Sequence, residues 1–210
     1  MGEGRTPEKT THSLKASCPM VVAVEMGYGH LRAAHTLAEL FGTEITRMDL
    51  PPIAAQIETK FWRAIRQFYN VLSRACELPL AGRAARNMLE KITKITPLHA
   101  YASKERANLF THLADGLTRT VIGQQFRAIA AGSKQPILAT YPVAALAANH
   151  TSAAQVFCLT TDTDLNRAWA RANPEQTSII CFASIKRVAQ RLGSFGVPAH
   201  RKNDARIVKI

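Results

Sequence analysis

The chain has 210 residues, 47% of them hydrophobic and 20% charged, which is enough apolar material for a sizeable core and excludes a compositionally disordered protein. Its formal charge of +12 favours polyanionic partners: nucleic acid, anionic lipid or phosphorylated ligands. No stretch reaches the roughly 18 consecutive apolar residues of a membrane-crossing helix, because charged or amide side chains interrupt every hydrophobic run.

Residues 1–19 are polar and contain no apolar core of a signal peptide, so they read as a disordered leader. Cys18, Cys76, Cys158 and Cys181 are far apart, form no CxxC pair, and in three cases lie in apolar runs. That usage fits a reduced, cytosolic protein that meets a membrane, if at all, peripherally on its inner face.

From Met20 to Glu25 the β-branched run MVVAVE predicts a strand, followed by GYGH as a glycine turn and LRAAHTLAELF as a helix. TEITRMDLPP predicts a second strand ending near Leu50, which completes a βαβ unit and implies a parallel sheet. Residues 58–117 read as a helical insert divided by Pro79 and Pro97. Its apolar stripe is Phe61, Ile65, Phe68, Leu72 and Ala75, interleaved with Lys60, Arg63, Arg66 and Arg74. Between Glu58 and Arg106 there are ten Lys or Arg against four Glu, a net of +6 and half of the formal excess. Beyond the insert, PILAT, QVFCLTTD and SIICFAS predict three more strands, with helices after the first and the last. The expected architecture is α/β: a Rossmann-like parallel sheet with flanking helices over residues 20–200, followed by a basic tail at 201–210.

Several groups of residues are candidates for chemistry. Gly27, Tyr28, Gly29 and His30 stand between a strand and a helix, where glycine permits close backbone approach and a helix start favours an anion. The same glycines also make an ordinary tight βα turn. Asp49, about 20 residues beyond the glycines, suggests a dinucleotide site, but Arg32 occupies the third position of the G-x-G-x-x-G pattern and opposes it. His30 beside Glu25 has the elements of a general base with a carboxylate partner, although a helix-capping histidine has the same pattern. Asp162 and Asp164 follow a predicted strand, with Trp169 close behind. Such residues bind a sugar hydroxyl or a metal, or simply cap a helix. His30 and His35 are five apart, which places them on different helix faces, so no metal site is expected. No G-x-S-x-G elbow supports a serine hydrolase.

VVAVEMGYGHLRAAHTLAE resembles the opening of the monogalactosyldiacylglycerol synthase family and its relative, the peptidoglycan N-acetylglucosaminyltransferase. PILATYPVAA resembles that family's strand entering a Thr-His-Pro-like turn. LTTDTDLNRAWARANPEQTSIICFAS, with the later KRVAQRLGSFGVP, resembles its Thr-Asp, Trp, strand, helix and Gly-Val-Pro succession. The resemblance runs from about Met20 to Pro198, with no recognisable motif in the helical insert.

It implies the N-terminal half of a GT-B glycosyltransferase, which binds the acceptor, and a separate C-terminal domain, absent from these 210 residues, which holds the nucleotide-sugar. It implies that His30 assists deprotonation of the acceptor hydroxyl and that Glu25 stands where the family has an aspartate. Asp162 would match the Thr-Asp acid, and Asp164, Trp169, Gly27, Tyr28 and Gly29 would line the ligand side. The acceptor is lipid-like or another hydroxyl compound, with no resident cofactor. Phe61, Trp62, Arg63 and Arg66 are expected to face an anionic membrane. A chain of this kind is expected to be inactive alone. The competing expectation is a non-catalytic basic module for anionic membrane or nucleic acid, although no nucleic-acid-binding motif accompanies the charge.

Overall fold

The computed structural model describes residues 18–79, 82–93, 109–151, 155–161, 179–183, 186–194 and 202–204. Its centre is a six-stranded, wholly parallel sheet in the order β2-β1-β3-β4-β5-β6. The strands are β1 (Met20–Ala23), β2 (Ile45–Arg47), β3 (Ile137–Ala139), β4 (Val156–Leu159), β5 (Ile180–Ala183) and β6 (Lys202–Asp204). The last lies in the segment expected to be a tail, where it pairs with β5.

The α/β reading therefore describes the molecule. Short runs of Val, Ile and Cys become strands here: β1 and β3 are buried on both faces, as interior strands of a parallel sheet are, while β4 and β5 alternate buried and half-buried residues. In β1, Val21 and Ala23 face helix α1 (Tyr28–Phe41), while Val22 and Val24 face the larger core on the other side of the sheet. Along α1 the buried residues are His30, Ala34 and Ala38, four apart. Two alanines let the helix lie close to the sheet, and the histidine occupies the same inward stripe at the helix start. Gly42, at φ 61°, closes the helix and donates its N–H to the last carbonyls.

Between β2 and β3 the described residues form four helices: α2 (Gln56–Ala75), α3 (Gly82–Thr93), α4 (Leu109–Thr120) and α5 (Gln124–Gly132). Then α6 (Pro142–Asn149) packs over β3 and β4, and α7 (Lys186–Ser194) over β5 and β6. Among the described residues no helix is long and apolar enough to cross a membrane.

The amphipathic helix α2 departs from expectation in what its aromatic face meets. Trp62 is only 2% exposed and belongs to the main core with Val24, Met48 and Phe126. Phe61 packs against that core, edge-on to Trp62 with ring centroids 6.0 Å apart. Arg66 forms ion pairs with Glu25 and Asp49. Of the four residues expected at a membrane, only Arg63 is exposed. The reason is energetic: two aromatic rings that close the open end of a sheet bury more apolar area than they would on the helix's outer side.

Candidate functional site

The chain passes from β1 to β2 on one side, then returns across β1 to β3 on the other. Strand order reverses between β1 and β3, and in open α/β sheets the crevice beyond the carboxyl ends of such strands is where ligands bind. The residues at that point are the β1–α1 turn and the segment Thr140–Tyr141 that leaves β3.

Gly27 is the residue before α1 and has φ 125° and ψ 149°, a backbone region that side chains other than hydrogen strain to enter. Tyr28 and Gly29 belong to the first turn of the helix, so the sequence-predicted glycine loop is shorter than its two glycines suggest. Tyr28 projects outward, 83% exposed, and Gly29 has nothing within 4 Å of where a Cβ would stand.

His30, in the same first turn, points down to the crevice floor. Its Nδ1 lies 2.8 Å from the Thr140 carbonyl oxygen and 2.7 Å from Thr161 Oγ1, beyond the end of β4. Tyr141 meets the imidazole edge-on at 5.0 Å between centroids. A carbonyl oxygen only accepts hydrogen bonds, so the favourable arrangement places the proton on Nδ1. In the neutral ring, Nε2 then carries the lone pair, and no described residue hydrogen-bonds it. The site thus presents a nitrogen base whose tautomer is set from behind by the ends of two strands, β3 and β4.

Thr140 contributes a second feature. Leu138 pairs with Val21 on the α1 side of the sheet, so alternation places Thr140 on that side too. Its hydroxyl is buried and has no hydrogen-bond partner. A buried hydroxyl without a partner costs free energy until something accepts from it or donates to it.

Glu25 is not the partner of His30. Its carboxylate accepts from Arg47 Nη2 at 2.9 Å and from Arg66 Nη1 at 2.8 Å. Asp49, fully buried, accepts from Arg47 Nε and Nη2 at 3.1 Å and from the Glu25 backbone N–H at 3.2 Å, with Arg66 Nη2 at 3.5 Å. Burial alone would lower the pKa of the Arg47 guanidinium, but the hydrogen bonds and charges of Asp49 and Glu25 outweigh it and hold that pKa above its usual value. This four-residue network ties α2 to the ends of β1 and β2. It also removes Asp49 from consideration as a ribose ligand, because its oxygens are already occupied.

Asp162, Asp164 and Trp169 lie outside the described residues. His35 is exposed, on the side of α1 away from His30, and among the described residues no cluster of three metal-ligating side chains occurs. Thr140 and Thr161 are the functional candidates that sequence reasoning missed. Their only signal was a threonine at the carboxyl end of each of two strands.

No family model, curated protein or solved structure matches this chain.

Proposed function

We propose that the chain is the acceptor-binding Rossmann-like half of a GT-B glycosyltransferase, with His30 as the base that receives the acceptor's proton. The observation that carries this reading is the hydrogen bond from His30 Nδ1 to the Thr140 carbonyl at the strand-order reversal. It leaves Nε2 basic in the place where α/β proteins bind ligands. The sequence resemblance through GYGH, LATYP and LTTD gives the reaction class.

In that reaction the acceptor O–H loses its proton to Nε2 as the oxygen attacks the anomeric carbon. The bond from that carbon to the nucleotide phosphate breaks, and the nucleoside diphosphate leaves with the electron pair. Transfer needs a nucleotide-sugar bound by a second domain.

For a lipid-like acceptor, the surface that approaches an anionic membrane is the outer strip of α2, in place of Phe61 and Trp62. Phe68 and Val71 are 51% and 67% exposed and stand at helical spacing with Arg74. Binding to anionic vesicles that falls on Phe68→Ser with Val71→Ser supports this surface, and unchanged binding removes it. A labelled oligonucleotide that shifts at low salt would favour the nucleic-acid module instead.

The acceptor role is tested by titrating histidine-labelled protein with short-chain diacylglycerol and with an alkyl glycoside. A saturable shift of the His30 ring resonances, absent in His30→Gln at matched stability, is expected. Folded protein whose His30 resonances respond to neither compound overturns the reading.

A further inference from the structure

The turn after β2 and the first turns of α2 form an open pocket of about 420 Å³ that shares no lining residue with the His30 crevice. Its size falls within the range that holds a small organic ligand. Pro51 and Pro52 supply an apolar wall, and Thr59, Lys60 and Arg63 line the α2 side. Gln125, at the start of α5, lines the other side. With its amide nitrogen turned to the turn, Gln125 donates to Pro52 O at 2.8 Å and Ile53 O at 3.0 Å, which fixes that wall.

The charge inside is one-sided. Lys60 and Arg63 are three apart on α2, so both cations reach the same space. Neither makes an ion pair with a described residue, and no carboxylate lines the cavity. Glu58 stands in the same helical turn but faces the interior, 3% exposed, where it accepts the Gly123 N–H. It therefore leaves the two cations unneutralised. Both cations border one pocket whose other lining is prolines, alanines and the uncharged polar side chains of Gln56, Thr59 and Gln125, so nothing in it neutralises them.

We infer that this cavity binds a phosphate ester. Lys60 and Arg63 hold the phosphate oxygens by charge-assisted hydrogen bonds, and the ester's apolar body lies against Pro51 and Pro52. A carboxylate is the weaker match, since two cations on separate side chains suit a group with three outward oxygens and up to two charges. The phosphate belongs either to a soluble ester or to a phospholipid headgroup, and the chemistry of recognition is the same.

The test is an amide-resolved NMR titration of the full chain with phenyl phosphate and with inorganic phosphate. It is repeated with phosphatidylcholine vesicles with and without phosphatidic acid. Saturable shifts at Thr59, Lys60, Arg63 and Gln125 are expected, tighter for phenyl phosphate than for phosphate. The double variant Lys60→Gln with Arg63→Gln should bind roughly tenfold or more weakly with an unchanged melting temperature. His30→Gln should bind as the parent does, which separates this site from the acceptor reading. Displacement of phenyl phosphate by the phosphatidic acid vesicles alone assigns the headgroup source, and its absence assigns the soluble one. Shifts that fail to saturate with either probe, or that map elsewhere, overturn the inference, as does equal affinity in the double variant.

Discussion

His30 Nδ1 lies 2.8 Å from the carbonyl oxygen of Thr140, a residue 110 positions farther along the chain. That contact joins the first turn of α1 to the end of β3, and it decides which imidazole nitrogen faces the crevice. Thr161 Oγ1, at 2.7 Å from the same nitrogen, braces the ring from the end of β4. Replacing Thr161 by Val should preserve the tautomer, because the Thr140 carbonyl remains. Loss of the hydroxyl contact should cost about 1 kcal/mol in urea denaturation. A change of tautomer in that variant would show that Thr161, and not Thr140, sets the protonation.

Gly27 and Gly29 should behave oppositely when changed to Ala. At Gly27 the nearest atom to an added Cβ is His30 Cδ2 at 3.9 Å, so there is no clash, but φ 125° strains any side chain. A loss of about 1 to 3 kcal/mol is expected. At Gly29, helical and open, Ala should be neutral or stabilising by up to about 1 kcal/mol. Equal effects at the two positions would contradict the described turn.

Much of the fold was legible in the sequence, since runs such as MVVA, ILA, VFCL and ICFA are short, apolar and bounded, and that pattern fits few structures other than buried parallel strands. The partners of individual residues were not. Periodicity showed that α2 has an aromatic face, but lipid and protein core satisfy Phe61 and Trp62 equally well, and only the three-dimensional core that includes Val24, Met48 and Phe126 decides for the protein interior. Glu25 was assigned to His30 because the two are near in sequence, whereas Arg47 and Arg66, 22 and 41 positions away, reach it in space. The sixth strand was missed because Lys202, Asn203 and Asp204 have little strand propensity, and pairing with β5 overrides it.

Arg47 anchors the ionic network, since it alone hydrogen-bonds both Glu25 and the fully buried Asp49 at 3.1 Å or less. Arg47→Met should cost about 3 kcal/mol, because Asp49 is left as a buried carboxylate with one distant cation. Adding Asp49→Asn to Arg47→Met should recover part of that loss. The check is the urea midpoint of both variants at neutral pH, and a double variant as unstable as the single one would place the loss elsewhere.

Glu58 makes stability depend on pH in a direction unusual for a carboxylate. Burial raises its pKa above 4.5, against the opposing pull of the Gly123 N–H and Arg127. A raised folded pKa means that the native state holds the proton more tightly. The resulting stabilisation is complete below the unfolded pKa and is lost as pH rises from there through the folded pKa. Glu58→Gln, which keeps an oxygen for Gly123, should therefore gain stability relative to the parent as the pH rises above 4.5. A parent-to-variant difference that is constant over this range would mean that the side chain is ionised at no net cost.

The most direct measurement is the ¹⁵N spectrum of histidine-labelled protein at a pH where His30 is neutral, with the His30 signals assigned by comparison with His30→Gln. The Nδ1–H tautomer is expected, with the Nε2 resonance in the position of an unprotonated nitrogen that can take a proton from a hydroxyl. An Nε2–H tautomer would contradict it, since Nε2 could then only donate and His30 could not serve as the base.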